Sequence, residues 1–415
     1  MEVDLLSERA LITTAAEGRP QADLVWQPGV HVPQLDGVRG LAILMVTLYR
    51  FGRDMPTDSI VGKVLAANLI VGERGVELFF LLSGFLITGI LIDAKRKSNY
   101  FVNFFARRGL RIFPLYFGAL FLFLCVIPWL MPSHHPFAQA QERQFYLWSY
   151  LSNVRMCMED AWCFGGLDHF WSLAVEEHFY FVWPFVIYYF GIRSSLWIAV
   201  GVACLAAGGR VACAAVGWSD VAPSVLTVFR CDALLLGAIL AIAFRRDSHM
   251  VRWRTVTWWA FGLLMVSGLC LDYSARRWFT VGMTVWPLAW ACLLILLATS
   301  TRKSTLAWFF DRGWLRNLGR YSYGMYIFQS PLIPLAAPLL AWLSLSQVTG
   351  NAVVGHLAGM ALLFGLTYLL AWLSWHAYEK HFLELKRWFS ADRLPAREGG
   401  CGGLAGRLPM SKMPL

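Results

Sequence analysis

A few ionisable side chains interrupt the apolar segments of this chain, and their types suit them to proton transfer. Glu176 and Glu177 stand side by side in an apolar run that begins just after His169. Adjacent residues of a helix point roughly 100° apart, so at most one glutamate faces a given cavity squarely, and we favour Glu176. A carboxylate inside a membrane span is costly, so Glu176 should be protonated or paired with an arginine. Carboxylates and imidazoles serve as general bases, which makes all three residues candidates for that role.

Two pairs of arginines have spacings that place both members on one face of a helix. Arg39 and Arg50 are eleven residues apart, which in an α-helix is close to three whole turns and roughly 16 Å. Arg50 stays protonated at physiological pH and has no lone pair, so it cannot act as a base. Arg108 and Arg111 are spaced i,i+3, and two guanidinium forks so placed can grip phosphates. For an isolated cluster, a basic anchor on the cytoplasmic side of a membrane is the better explanation.

The elements that must position these residues are membrane helices. Of 415 residues, 58% are hydrophobic, with 20 Trp and 29 Phe, a composition that does not fold around one aqueous core. We predict an all-α polytopic membrane protein of about ten helices, because apolar stretches long enough to cross roughly 30 Å of hydrocarbon recur along the chain. They lie near residues 40–50, 76–93, 112–131, 170–190, 195–217, 224–244, 257–275, 279–299, 321–342 and 353–375.

Loop charges predict the orientation of the bundle, since cytoplasmic loops retain more Lys and Arg than exported loops. Basic clusters follow the second, sixth and eighth spans, and all three loops lie on one side if both termini are cytoplasmic. The loop of residues 132–168, with four acidic residues against two arginines, then faces outward. The net charge of +10 therefore comes mostly from the loops that are predicted to be cytoplasmic. The sequence contains no basic soluble domain of the kind that binds a nucleic acid, so a nucleic acid is not an expected partner.

The chain is predicted to have one domain with polar ends. Residues 1–34 form a polar cytoplasmic segment, residues 35–390 the transmembrane domain, and residues 391–415 a flexible, glycine-rich tail. Cys157 and Cys163 lie in the exterior loop, in a compartment that permits disulfides, so a disulfide and two free thiols are both open. The spacing of Cys and His fits no zinc pattern, and no metal site is predicted.

Five segments together resemble the acyltransferase-3 family, integral membrane enzymes that move acyl groups, often acetyl, from a coenzyme A thioester to sugar hydroxyls. The strongest match is Trp-Ser-Leu followed by Val-Glu-Glu within residues 169–180. The resemblance covers roughly residues 35–390, and the other matching segments are residues 35–51, 75–88, 104–116 and 318–331.

The chain departs from the family pattern at three positions. Arg50 stands where the family has the histidine that is taken to be the general base. Gln329 stands where many relatives carry histidine, and an amide cannot exchange a proton in the same way. Glu77 replaces the more usual aspartate, a change that keeps the carboxylate.

The resemblance implies roles for particular residues. The implied catalytic residues are Arg39, Arg50, Glu176, Glu177 and His169. The implied donor-binding residues are Arg108, Arg111, Ser83 and Gly84. The implied donor is an acyl-coenzyme A, with acetyl-coenzyme A as the expected form, and no metal takes part. The implied partners are membrane lipid and a carbohydrate or glycolipid acceptor, and the implied location is the bacterial inner membrane.

Some of these residues have a simpler explanation. Ser83 and Gly84 are also typical of ordinary helix packing, because small residues let two membrane helices approach closely. His169, at the outer start of its helix, is equally well explained as an interfacial polar residue.

Three interpretations of the whole chain stay open. In the first, it is a working acyltransferase in which Glu176, Glu177 or His169 replaces the base and Arg50 stabilises developing negative charge. In the second, a degenerate family member binds coenzyme A or a glycan without transfer, and Asp54 forms an i,i+4 ion pair with Arg50. The third is a transporter, which has the least support because no inverted repeat is evident.

Overall fold

The structure, a computed structural model, describes residues 24–26, 31–132, 135–246, 250–272 and 279–389. Regular structure in these residues is helical, with one isolated β-bridge between Leu24 and Thr301. Ten helices of 19 or more residues lie in this part of the chain. They are α1 (Pro33–Gly52), α2 (Gly75–Ala94), α3 (Tyr100–Phe121), α4 (Phe170–Tyr189), α5 (Ile192–Ala215), α6 (Thr227–Arg246), α7 (Arg254–Asp272), α8 (Phe279–Ala298), α9 (Gly313–Leu343) and α10 (Ala352–Ser374).

Shorter helical pieces connect or extend the long helices. The α-helical pieces are Ile60–Ile70, Ile127–Leu130, Ala138–Glu142, Gln144–Trp148, Ser152–Glu159, Val221–Val225, Thr305–Phe310, Leu345–Thr349 and Lys380–Glu384. The 3₁₀ turns are Val71–Arg74, Gly165–Leu167, Met250–Trp253 and Leu385–Phe389. Two π-helical turns, Leu122–Val126 and Trp375–Glu379, continue α3 and α10.

The prediction of an all-α polytopic membrane fold is confirmed, since each predicted span overlaps one of the ten long helices. Eight helical stretches of the described chain are long and apolar enough to cross a membrane. The helices α1 and α4 are outside that set, although each has 20 residues, about 30 Å. These two helices carry the predicted catalytic arginines and glutamates. The eight stretches are Ile60–Ala94, Tyr100–Leu130, Ile192–Ala215, Val221–Arg246, Val251–Asp272, Val281–Ala298, Gly313–Leu343 and Ala352–Phe389.

Glycines let α1 and α9 cross in backbone contact. A Cβ atom added at Gly40 would lie 1.9 Å from the carbonyl oxygen of Leu315, and one at Gly319 would lie 1.8 Å from that of Asp36. No side chain fits at such distances, so the crossing requires glycine at both positions. The contact fixes the height and rotation at which α1 presents Arg39 to α9.

The helices α2 and α6 meet in the same way. A Cβ atom added at Gly84 would lie 1.8 Å from the carbonyl oxygen of Leu234, and one at Gly237 would lie 2.0 Å from that of Leu81. This close crossing fixes the rotation of α2 about its axis. It therefore also fixes the direction in which the neighbouring Ser83 points.

A buried network of ion pairs joins α2 to α6 and α7. Glu77 accepts a hydrogen bond of 2.9 Å from Arg230 and lies 3.5 Å from Arg74. Arg74 also pairs with Asp272, to which the indole of Trp286 donates a hydrogen bond of 2.9 Å. The side chains of Arg74, Glu77 and Asp272 are each only 2% exposed, and charges at this depth persist only when they are paired. The carboxylate at position 77 therefore holds helices together.

The segment between α3 and α4 is folded, with short helices tied by charge. Arg143 and Arg155 both pair with the carboxylate of Glu159. Cys157 and Cys163 are free thiols, so of the two alternatives the disulfide is wrong. The predicted tail, residues 391–415, lies outside the described residues, as does most of the predicted segment 1–34.

Candidate functional site

Five helices, α1, α2, α3, α4 and α9, enclose a cavity that collects polar side chains from distant parts of the sequence. Six of the nine predicted site residues line it: Arg39, Ser83, Arg108, Arg111, Glu176 and Glu177. The remaining polar lining residues are Ser172, Ser322, Tyr323 and Tyr326, and the apolar ones are Val76, Phe79, Phe80, Ile112 and Leu173.

Glu176 is the most highly coordinated group of the cavity. Its Oε1 accepts a hydrogen bond of 3.2 Å from Ser83, and its Oε2 accepts one of 2.6 Å from Tyr180, one helical turn further along α4. The guanidinium of Arg108 lies 3.8 Å from Oε2 and stacks over the Tyr180 ring, 3.9 Å from its centroid. Of the two states predicted for Glu176, protonation or an arginine partner, the structure has the arginine partner, and it is Arg108.

Glu177 also lines the cavity, but its carboxylate has fewer hydrogen-bond partners than that of Glu176. Its Oε1 is buried and has no hydrogen-bond partner among the described residues. An unpartnered buried carboxylate oxygen is costly, and it retains lone pairs that can accept a proton from a bound molecule. The two adjacent glutamates thus differ in availability: hydrogen bonds hold both oxygens of Glu176, whereas one oxygen of Glu177 is free.

Three arginines form the cationic part of the lining. Arg39 lies 3.4 Å from Asp36 on its own helix, so its charge is partly compensated. The Nε of Arg108 is buried without a partner, and Arg111 forms no ion pair among the described residues. Arg111 is exposed and contributes to the lining. The cavity therefore offers guanidinium donors that an anionic ligand can reach.

Four hydroxyl-bearing residues of the lining were not among the predicted site residues, and two of them, Ser172 and Tyr326, contact each other. The Tyr326 hydroxyl lies 2.5 Å from Ser172 Oγ and donates a hydrogen bond of 3.1 Å to the carbonyl oxygen of His169. Ser172 belongs to the Trp-Ser-Leu motif and Tyr326 to the matching segment of α9. Their presence in these two motifs was the only indication of a role that the sequence offered. The sequence does not show that two residues 154 positions apart share a hydrogen bond.

Arg50 and His169 lie outside the cavity lining, on the side of the bundle where α1 ends and α4 begins. His169 is 1% exposed, and its ring nitrogens form no hydrogen bond of normal geometry. Burial, and then the positive charge of Arg50, lower the pKa of His169 to about 3, so the ring is neutral at physiological pH. Burial raises the pKa of Asp168 to about 6, although the Phe164 N–H and the charge of Arg50 oppose that rise.

The predicted ion pair between Arg50 and Asp54 does not form among the described residues, because α1 ends at Gly52 before another turn is completed. The half-buried Arg50 side chain instead leans over the Tyr49 ring, 5.8 Å from its centroid, and its Nε has no partner. The interpretation that a local ion pair neutralises Arg50 is therefore wrong.

The other substituted position is occupied by a buried amide. Gln329 is fully buried, and its Oε1 accepts a hydrogen bond of 2.9 Å from Thr47, which ties α9 to α1. Gly84 lies against the α6 backbone and is not part of the lining. Among the described residues, no cluster of three or more His, Cys, Asp or Glu side chains could hold a metal ion.

Comparison with known proteins identifies the family of the chain. A family model described as an acyltransferase domain, acyltransferase-3, matches residues 32–376. The chain is 27% identical over 361 residues to the peptidoglycan O-acetyltransferase OatA of Listeria monocytogenes, a match that covers 79% of this chain and 54% of that protein.

A second relative gives the same result. The O-acetyltransferase OatA of Staphylococcus aureus is 27% identical over 326 residues, which cover 73% of this chain and 51% of that protein. The chain thus spans about half the length of the curated relatives it matches. No solved structure matches it significantly.

Proposed function

The chain belongs to the acyltransferase-3 family, and from that premise we propose that it transfers an acyl group, an acetyl group in the simplest case, from an acyl-coenzyme A to a carbohydrate hydroxyl. The observation that carries the proposal is the cavity itself. It brings arginines, carboxylates and hydroxyls from five helices to one place, which is the set of groups that acyl transfer from a phosphate-bearing thioester requires.

The arginines suit the donor. Arg108 and Arg111 lie in the first half of the helical stretch Tyr100–Leu130, the half that follows the basic loop after α2. Guanidinium groups bind phosphate oxygens through paired N–H donors. A coenzyme A whose phosphates rest on Arg108 and Arg111 directs its thioester inward, towards Glu176 and Glu177.

The base is a glutamate in this proposal, because the position that would hold histidine holds Arg50. His169 is a poor substitute, since a ring with a pKa of about 3 holds a proton weakly and its protonated form would face the Arg50 cation. Glu176 already accepts from Ser83 and Tyr180. Glu177, which lines the cavity and whose Oε1 has no hydrogen-bond partner among the described residues, is the base, and Glu176 positions Arg108.

The reaction balances with these groups. The acceptor hydroxyl gives its proton to Glu177 while its oxygen forms a bond to the thioester carbonyl carbon. The charge that develops on the carbonyl oxygen is stabilised by the hydroxyls of Ser172 and Tyr326. The carbon–sulfur bond then breaks, and the coenzyme A thiolate takes the proton from Glu177 and leaves as the thiol.

The acceptor is proposed from the relatives. Two of them are named O-acetyltransferases, one specifically of peptidoglycan, so the proposed acceptor is a hydroxyl of an envelope carbohydrate. The proposed setting is the inner membrane of a bacterial cell, with both termini cytoplasmic. In that orientation the donor enters from the cytoplasm through the arginines, and the acceptor approaches from the side of Arg50.

The test measures release of the coenzyme A thiol by the purified protein in detergent, with acetyl-coenzyme A and peptidoglycan fragments. Glu177→Gln should lower kcat by roughly 10²- to 10⁴-fold, the usual effect of losing a general base. Glu142→Gln, which neutralises a carboxylate with 73% exposure in the loop segment, is the matched control and should leave kcat unchanged. Full activity of Glu177→Gln would refute its role as the base.

Two further variants separate the alternatives. His169→Gln should change kcat by less than tenfold, and a loss as large as that of a general base would move the role to His169. Absence of turnover in the wild type, with activity only in Arg50→His, would instead make this chain a binding protein that lost its chemistry at one position.

A further inference from the structure

A second recess, apart from the cavity that holds the two glutamates, lies between the ends of α2 and α4 and the start of α3. Three consecutive cations and three aromatic rings line it: Lys95, Arg96, Lys97, Tyr100, Phe101 and Tyr188. No Asp or Glu of the described chain is among its lining residues. The nearest acidic residue in the sequence, Asp93, pairs instead with Arg245 of α6, at 2.7 Å. We call this recess the basic pocket, and its lining presents an excess of positive charge.

The walls of the basic pocket are held in place by contacts within the protein. The ammonium group of Lys95 donates a hydrogen bond of 2.6 Å to the carbonyl oxygen of Phe190, which joins the loop after α2 to the end of α4. The Tyr100 hydroxyl donates one of 3.1 Å to the carbonyl oxygen of Pro184 in α4. The ring of Tyr100 also lies 5.1 Å from that of Tyr188. A pocket that is already formed binds its ligand at a smaller cost in conformational entropy.

An exposed aromatic face continues from the basic pocket along α3 and α4. The ring centroids of Phe101 and Phe185 are 4.9 Å apart, and those of Phe105 and Phe181 are 6.4 Å apart. We call these four residues the aromatic seam. Phe181 is 67% exposed and Phe185 is 37% exposed. The helical stretch Tyr100–Leu130, which is apolar enough to cross a membrane, begins at the pocket, so the seam extends from the pocket into the hydrocarbon.

We propose that the basic pocket and the aromatic seam bind one anionic phospholipid, with its headgroup phosphate among the cations and an acyl chain along the seam. Positive charge at one end and an exposed apolar face at the other match the two parts of such a lipid. Basic pockets between helices on the cytoplasmic side of a membrane bind anionic headgroups, and this end of the bundle is the one predicted to be cytoplasmic. The site goes beyond the proposed function, because its ligand is neither the donor nor the acceptor.

A basic loop that only orients the helices would not need a pocket. The positive-inside rule places cations on the cytoplasmic side, but it does not require them to share a recess with aromatic rings. The loop after α8 offers a comparison, because its exposed Arg302 and Lys303 are not among the lining residues of the basic pocket. They are one arginine and one lysine, as are the exposed Arg96 and Lys97. Removing either pair changes the net charge of the protein equally.

Native mass spectrometry of the purified protein in detergent counts bound lipids and gives their dissociation constants. Wild-type protein should bind dioleoylphosphatidylglycerol roughly tenfold or more tightly than dioleoylphosphatidylcholine, which has the same acyl chains and no net charge. The double variant Arg96→Gln/Lys97→Gln should weaken phosphatidylglycerol binding roughly 30-fold, because each cation close to an anionic lipid gives about a fivefold gain in affinity. The matched control, Arg302→Gln/Lys303→Gln, should keep the wild-type dissociation constant.

Four results would overturn the proposal. Equal affinity of the wild type for the two lipids would mean that the headgroup charge is not recognised. An equal loss of affinity in the control variant would mean that the cations act only through overall surface charge. Displacement of phosphatidylglycerol by glycerol 3-phosphate, which has no acyl chains, would assign the pocket to a free phosphate. Displacement by coenzyme A would assign it to the acyl donor.

The lipid measurement contains neither donor nor acceptor, so it is independent of the proposed transfer reaction. Protein that releases no coenzyme A but binds phosphatidylglycerol through Arg96 and Lys97 would refute the transfer reaction and support the lipid site. Protein that releases coenzyme A normally and binds both lipids equally would overturn the lipid site and leave the proposed function unchanged.

Discussion

Replacing Asp168 by asparagine should expose a pH dependence of stability that is hidden in the wild type. His169 and Asp168 are neighbours, and the shifts of their pKa values have opposite effects on how folding stability depends on pH. Burial and the Arg50 charge lower the pKa of His169 from 6.5 to about 3. Its neutral form therefore contributes stability that is present above pH 6.5 and is lost as the pH falls towards 3.

Asp168 has the opposite sign. Burial raises its pKa from 3.8 to about 6, so its contribution is fully present below pH 3.8 and is lost as the pH rises through 6. Each group alone changes the free energy of unfolding by at most about 1.4 kcal/mol per pH unit. Between about pH 4 and pH 6 the contributions of His169 and Asp168 to the slope of the free energy of unfolding against pH largely cancel. Partial exposure of Asp168 makes its contribution the smaller one.

Asparagine isolates the histidine because it keeps an oxygen that accepts from the Phe164 N–H, 2.8 Å away, and does not titrate. From pH 6 to pH 4.5, Asp168→Asn should lose up to about 2 kcal/mol of stability relative to the wild type, from a slope of about 1.4 kcal/mol per unit. His169→Gln should change in the opposite direction, becoming relatively more stable as the pH falls.

The assay is unfolding by sodium dodecyl sulfate in mixed micelles at a series of pH values, followed by tryptophan fluorescence. Every other titrating group is shared, so the difference between Asp168→Asn and the wild type isolates Asp168, and the difference between His169→Gln and the wild type isolates His169. A difference for Asp168→Asn that stays constant from pH 4.5 to pH 6 would mean that Asp168 is not held protonated by its surroundings. A constant difference for His169→Gln would mean that the neutral His169 beside Arg50 is not the folded form.

Three other predictions concern stability and covalent state. Glu77→Gln should lower the free energy of unfolding by about 3–5 kcal/mol in the same assay, because it leaves Arg230 as an unpaired buried charge. Gly319→Ala should reduce the folded fraction in size-exclusion chromatography, since its Cβ would lie 1.8 Å from a carbonyl oxygen of α1, while Gly365→Ala, with no atom within 4 Å, should not. Cys163 should be alkylated in protein unfolded without reductant, because its thiol is free, and protection from alkylation would indicate a disulfide.

The positions of the helices were predictable from the sequence because the cost of exposing backbone groups to lipid requires long apolar stretches. The partner of Glu176 was predictable only as a type of residue, since a buried carboxylate calls for a cation. That the cation is Arg108 depends on how α3 and α4 pack, which no local pattern encodes. The pairing of Arg50 with Asp54 failed because a helical spacing was assumed past Gly52, where α1 ends.

Other site residues were out of reach for a related reason. Tyr326 and Ser172 are common residue types in membrane helices, and only their mutual contact at 2.5 Å gives them a role at the cavity. The glycine crossings of α1 with α9 and of α2 with α6 are visible as glycines in the sequence, but their partners are carbonyl oxygens on another helix. A sequence shows which small residues allow close packing and does not show which helix comes close.

The arginine at position 50 limits which group can transfer the proton and where. Along α1, Arg39 and Arg50 are separated by roughly 16 Å. Arg39, which lines the proposed donor cavity, and Arg50, at the far end of the helix, therefore do not act on the same acyl carbon. A cation at position 50 disfavours an imidazolium at His169, yet it stabilises negative charge on an acceptor that approaches from that side. In the proposed mechanism the chemistry falls to Glu177, which lines the cavity together with Arg39. Position 50 holds an arginine where the family resemblance implies a histidine, so the proposed base lies on α4 and not on α1.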